Sequence, residues 1–183
     1  MAKHLTPQEL EAGLEHILAS PQNNGTVEMI VRRPERNERE LLDAAELSTE
    51  EGLVGDSWKA RCLVKRPDQP LDYERQLTLM NSRSVALLAG EKDRWPLAGD
   101  QFFVDLDLSL SNLPPGSQLQ VGETIVEVTE PPHTGCKKFV QRFGMAAMEF
   151  VNSPRGRELN LRGVNARVIR PGTVNVNDAI TKL

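Results

Sequence analysis

The sequence predicts a mainly β fold: a mostly antiparallel barrel with a few short helices and one N-terminal helix. Three observations carry this. The second half holds many short runs of β-branched and apolar residues, turn signals separate those runs, and helical periodicity is confined to brief segments.

The elements follow in order. Thr6 can cap a helix with Pro7 at its first position and Glu9 completing a capping box, and Leu10, Leu14, Ile17 and Leu18 recur at helical spacing. Ser20, Pro21 and Asn24-Gly25 end that helix, so residues 1–24 form a helical extension and 25–183 the barrel domain. From Gly25 the period moves toward two, and Thr26 to Arg33 reads as a strand. The Glu- and Arg-rich run from Pro34 to Glu40 reads as a solvated face. Leu41 to Leu47 reads as a short helix, and Gly52 to Asp56 as a sharp turn. Gln76 to Met80 is a strand, and Asn81 caps a helix over Ser82 to Ala89 that stops at Gly90. Strands follow at Gln101 to Leu106, Gln118 to Val121, Thr124 to Thr129, Val164 to Arg170 and Ala179 to Lys182. Gly99-Asp100, Pro114-Pro115-Gly116, Gly122-Glu123, Pro171-Gly172 and Asn177-Asp178 turn the chain between them. Lys137 to Asn152 interrupts as one or two helices broken at Gly144.

A chain of 183 residues can bury a core without disulfide or metal staples. Its net charge of −4 argues against general nucleic-acid binding. No stretch approaches the ~20 apolar residues of a membrane span, and MAKHLTPQEL lacks a signal-like apolar region, so the expected location is the cytoplasm. The oligomeric state is not legible.

Two cysteines, Cys62 and Cys136, lie far apart and form no CxxC pair, which favours free thiols in a reducing compartment. Cys62 beside Leu63 and Val64 reads as a small core residue. Cys136, in PPHTGCKKF, follows a stiff Pro131-Pro132 pair, precedes a helix and stands beside Lys137 and Lys138. A helix start and two ammonium groups stabilise a thiolate modestly, by about 0.3–2 kcal/mol from the dipole. A soft metal would complete the deprotonation. A buried bystander thiol and a Cys–His pair with His133 remain open at this point.

Four segments resemble one family, the MOSC domain found at the C-terminus of molybdenum cofactor sulfurases and in small stand-alone bacterial proteins. They are GLVGDSW (Gly52 to Trp58), QLTLMNSRSVALLAG (Gln76 to Gly90), LSNLPPGSQLQVGETIVEVTEPPHTGCKKF (Leu110 to Phe139) and RGVNARVIRPGTVNVNDAI (Arg162 to Ile180). The resemblance implies a MOSC-type β-barrel in which Cys136 ligates the metal of the molybdenum cofactor (molybdopterin). It makes Lys137, Lys138, Arg167, Lys59 and Arg61 candidate holders of the pterin phosphate. Asn112 takes the place of the Asn in the family's Glu-Asn-Leu, and His133 and Thr134 line the loop. The chain departs from the pattern at Ser57, where many relatives have Arg, and at Ser111, where they have Glu.

Three functions follow from the resemblance. The first is a molybdenum-dependent oxidoreductase that reduces a small N-hydroxylated substrate, with Cys136 as the catalytic metal ligand and a separate reductase as electron donor. The second is a sulfur carrier, with a Cys136 persulfide loaded by a cysteine desulfurase. The third is a non-catalytic binding module.

Overall fold

The computed structural model describes residues 4–65 and 67–183. Thr6 caps the first helix, α1 (Pro7–Ala12), and Glu9 closes the capping box. Gly13 then divides the expected single helix from α2 (Leu14–Leu18). The strands β1 (Gly25–Arg32), β2 (Glu40–Leu42), β3 (Ala44–Ser48) and β4 (Gly52–Leu53) follow, then helix α3 (Trp58–Lys65). Next come β5 (Leu77–Asn81), α4 (Ser82–Ala89), a 3-10 turn at Lys92–Ala98 and β6 (Phe102–Asp105). The chain continues through β7 (Gln118–Val121), β8 (Thr124–Val128), α5 (Lys137–Phe143), α6 (Met145–Asn152) and α7 (Pro154–Glu158). It ends with β9 (Val164–Arg170), β10 (Gly172–Asn175) and β11 (Ala179–Lys182).

Seven strands close into a barrel in the order β1-β6-β5-β9-β8-β7-β11, and β11 returns to β1 through Gly25↔Ile180. Every pairing around the ring is antiparallel except β5–β6, whose parallel crossover is made by α4 and the 3-10 turn. A smaller sheet, β10-β3-β4, stands beside the ring.

Burial explains the sequence pattern strand by strand. Leu77 and Leu79 of β5 and Phe102 and Val104 of β6 fill the barrel interior. Met80 and Phe103 face outward into a second apolar cluster, beneath α1, α2, α4, α5 and α6. These strands are covered on both faces and read as unbroken apolar runs. On the uncovered side, Leu119 and Val121 of β7 point inward while Gln118 and Gln120 stay out, which gives clean alternation.

Three expectations change. Leu41 to Leu47 is β2 and β3, not a helix. Ala45 and Leu47 are buried while Ala44 and Glu46 are exposed, and pairing with β1 and β10 overrides the helix propensity of Ala, Leu and Glu. The Gly52 and Gly172 turns each begin a short strand, β4 and β10, against β3. Helices α3 and α7 were not foreseen. Among the described residues, no helix is long and apolar enough to cross a membrane.

Candidate functional site

The site is built on the excursion that leaves the barrel after β8 and returns at β9. Its first residues are fastened at both ends. Asn165 Nδ2 donates to the Pro131 carbonyl at 2.9 Å. The Gly135 N–H donates to Asn152 Oδ1 at 2.9 Å, and Asn152 Nδ2 returns toward the Gly135 carbonyl at 3.4 Å. A Cβ on Gly135 would lie 3.2 Å from Met148 Cγ, so glycine lets the loop lie close against α6. Cys136 follows in extended backbone as the N-cap of α5. Its thiol is exposed and caps nothing, while its carbonyl accepts from Phe139 N and Val140 N. Cys62, the other free cysteine, is half-buried on α3.

Beneath the loop lies a buried charge pair. Asp100 is fully buried, and Arg162 Nη1 donates to its Oδ2 at 2.6 Å. Arg162 Nη2 donates to the Ala98 carbonyl, and its guanidinium lies 5.1 Å over the Phe139 ring. His133 Nδ1 approaches Asp100 Oδ1 to 3.3 Å, without the alignment of a hydrogen bond. Burial, then the charge of Arg162, pushes the His133 imidazole down to about 3, against the pull of Asp100. Between about pH 6.5 and 3 the unfolded chain therefore takes up a proton at His133 that the folded chain refuses. This contribution to stability is complete above the ordinary histidine value and is lost as pH falls. Urea denaturation of His133→Gln should show a flatter acid limb than the wild type, by at most about 1.4 kcal/mol per pH unit. An unchanged limb would mean that His133 is not held neutral.

Arginines gather around the segment that leads into Asp100. Four consecutive carbonyls at the end of the 3-10 turn each accept from a different one: Pro96 from Arg39, Leu97 from Arg142, Ala98 from Arg162 and Gly99 from Arg33. Arg39 Nη2 and Arg142 Nη1 both lie within about 4 Å of where a Cβ on Gly99 would sit. Gly99 has φ +94, and the missing side chain leaves that space to the guanidinium groups. Asp56 pairs with Arg33 at 2.8 Å and, more loosely, with Arg61 at 3.7 Å. Arg39 and Arg142 form no salt bridge among the described residues, and the carbonyls to which they donate carry no compensating charge. Burial and then the charges of Arg142, Arg33 and Arg61 push Arg39 down to about 10, against Asp56. It still carries its charge at neutral pH. Arg61 is lowered by burial and then Arg33. Lys138 is lowered by desolvation and then Arg36, Arg142 and Arg39, while Cys136 acts in the opposite sense. Lys138 therefore links the thiol to the arginines, and its Nζ donates to Asn37 at 3.0 Å.

The structure sorts the residues singled out in the sequence. Cys136, Lys138 and Arg61 belong to this cationic surroundings, and Lys137 opens α5 beside the thiol, exposed. Lys59 lies half-buried on the first turn of α3. Asn112 is engaged elsewhere: its Nδ2 donates to the Gln22 and Asp107 carbonyls, and its Oδ1 accepts from Lys182. Arg167 faces outward from β9 and pairs across strands with Glu127 at 2.7 Å. Of the two departures, Ser57 Oγ is buried without a partner, and Ser111 meets Ser109.

Sequence reasoning missed Arg33, Arg39, Arg142, Asp100, Arg162 and Asn152. The Arg-rich run from Arg32 to Arg39 was the available signal, and part of it folds over the site rather than into solvent.

A cavity of about 210 Å³ opens behind the loop. His133 and Thr134 line it, together with Leu113, Val128, Val151 and Val164, whereas Cys136 lies outside it. The cavity lining thus leaves out the thiol but includes Arg157 and Arg162. No group of three or more His, Cys, Asp or Glu side chains gathers to hold a metal among the described residues.

Comparison with known proteins agrees on the architecture. The YuaD protein of Bacillus subtilis is 17% identical with a TM-score of 0.63, covering 86% of this chain and 94% of that one. YiiM from Escherichia coli is 19% identical with a TM-score of 0.56, covering 86% and 69%. YiiM from Geobacillus stearothermophilus is 11% identical with a TM-score of 0.59, covering 87% and 75%. At these identities the likeness is one of fold. No curated protein matches the chain. The family model for the MOSC domain matches residues 66–181, most of the barrel and the whole Cys136 excursion, so the chain belongs to the MOSC domain family.

Proposed function

We propose that this protein binds molybdenum cofactor through Cys136 and reduces a small N-hydroxylated substrate with electrons from a separate protein. The observation that carries the reading is an exposed free thiol next to Lys138, whose ammonium in turn feels Arg39 and Arg142, two arginines without a salt-bridged carboxylate among the described residues. Such a donor set fits an anionic group that brings its own remaining metal ligands. One soft thiolate suits molybdenum, and a cationic wall suits a phosphate. Bound there, the cofactor would supply the redox centre for removing oxygen from the substrate.

The chain's own residues have definable parts. Cys136 would be the metal ligand, with the Lys138 ammonium close by. Arg39, Arg142 and Arg61 would grip the phosphate. Asn152 fixes the peptide just before the thiol, so the ligand enters α5 at one angle. A separate reductase would supply the electrons.

Elemental analysis of the protein purified from cofactor-replete cells tests this. Wild type should retain molybdenum and Cys136→Ser should lose nearly all of it, with the thermal unfolding of the two proteins unchanged. Equal molybdenum in both, or none in either, overturns the reading.

The same exposure of the thiol favours one alternative, a persulfide carrier. Incubation with a cysteine desulfurase would then add the mass of one sulfur to wild type and none to Cys136→Ser, with molybdenum absent from both.

A further inference from the structure

We propose that the cavity behind the Cys136 loop binds a free α-amino acid with an apolar side chain, its carboxylate held by Arg157 and its ammonium by Glu130 and Asn165. The inference goes beyond the reading of Cys136 and does not depend on what that thiol ligates.

Charge sets the class of ligand. Four ionisable side chains line the cavity: Glu130, His133, Arg157 and Arg162. Asp100 cancels Arg162 at 2.6 Å, and burial holds His133 neutral at physiological pH. What remains is one carboxylate, Glu130, and one guanidinium, Arg157, both on exposed residues. Arg157 Nε donates to the Asn152 carbonyl, and its two Nη atoms have no described partner. Glu130 and Arg157 form no ion pair among the described residues, with each other or with a third group. A ligand of one charge meets repulsion here as well as attraction, whereas a zwitterion is matched at both ends.

Two asparagines sharpen the polarity. Asn160 Nδ2 donates to the Leu108 carbonyl, and Asn165 Nδ2 donates to the Pro131 carbonyl. A carbonyl partner fixes which end of each amide is the nitrogen, so each Oδ1 is an acceptor, and neither receives a bond from a described residue. Asn165 is 4% exposed and lines the cavity, so its oxygen calls for a donor that a ligand can bring. An ammonium carries three donors. Pro131 follows Glu130, which puts the amide and the carboxylate on one stretch of the lining, while Arg157 comes from α7. The remaining wall is apolar, with Leu113, Val128, Val151 and Val164 buried there. A cavity of roughly 150 Å³ takes benzene, so about 210 Å³ takes a leucine-sized side chain below a polar headgroup. A few polar groups that fix orientation over an apolar floor are the usual form of a small-molecule site.

Methyl NMR of the full chain, titrated with L-leucine at constant ionic strength, tests this. Leucine should shift the Val128, Val151 and Val164 resonances. 4-Methylpentanoate lacks the ammonium and 3-methylbutylamine lacks the carboxylate, and each should bind at least about tenfold more weakly, the worth of one charged hydrogen bond. Arg157→Gln should weaken leucine by the same factor without weakening 3-methylbutylamine. Glu130→Gln should weaken leucine without weakening 4-methylpentanoate. Both positions are exposed, and an unchanged melting temperature shows that the variants fold. No methyl shifts with millimolar leucine, a one-charge analogue as tight as leucine, or wild-type leucine affinity in either variant would each overturn the proposal. A failed molybdenum assay leaves these outcomes untouched.

Discussion

Asn at position 100 should lower stability by about 3–5 kcal/mol, because it keeps the shape of Asp100 while leaving the Arg162 charge buried and unpaired. Arg162 is 7% exposed, and Asp100 is the one carboxylate within salt-bridge reach of it among the described residues. Arg162→Met makes the complementary error and strands the carboxylate beside His133, with a loss of the same order. The pair acts as a unit, so Asp100→Asn with Arg162→Met should cost clearly less than the two losses added. Urea denaturation of the four proteins measures the coupling. Strict additivity would show that the residues stabilise the molecule independently. The same cycle probes the site, because His133, which leads into Cys136, rests against this pair.

The second large effect is on anion binding. Inorganic pyrophosphate should raise the melting temperature of wild type beyond sodium chloride of equal ionic strength, by the linkage that stabilises any folded state binding a ligand. Arg39→Ala with Arg142→Ala should abolish the difference. Two charged hydrogen bonds at about 1.5–3 kcal/mol each correspond to a loss of roughly 10²–10⁴-fold in affinity. Arg167→Ala is the informative control, since Arg167 is already paired with Glu127 and should leave the pyrophosphate shift intact. If the Arg167 variant loses the shift and the double variant keeps it, the anion sits elsewhere on the barrel.

That contrast shows what was legible in the sequence. Local signals served well where local chemistry decides. The Thr6 capping box, the Asn81 cap and Gly90 stop of α4, and the bounds of β7, β9 and β11 all stand as read. They failed where pairing overrides propensity, as in β2 and β3, whose helix-forming residues are held extended by β1 and β10. The site divides in the same way. Cys136 stands in a motif that can be read locally. Its cationic surroundings come from distant segments, Lys138 and Asn37 meeting across 101 residues, and no spacing rule announces such a meeting. Sequence charge also cannot separate Arg39, held by carbonyls, from Arg167, held by a carboxylate. Only the partners distinguish them.

The excursion between β8 and β9 has a consequence for how this fold can change. Val128 and Val164 end and begin strands that are hydrogen-bonded neighbours, so the thiol, three helices and most of the cavity wall hang from two adjacent points of a closed ring. For a flexible segment, closing a loop twice as long adds only about 0.6 kcal/mol of entropy. The ring's own pairings are indifferent to what the segment contains. Relatives can therefore exchange the reactive group and reshape the chamber by altering one insertion. Arg33 and Arg39, from the connection between β1 and β2, and Arg61 of α3 lie outside that insertion and can be kept, whereas Lys138 and Arg142 of α5 change with it.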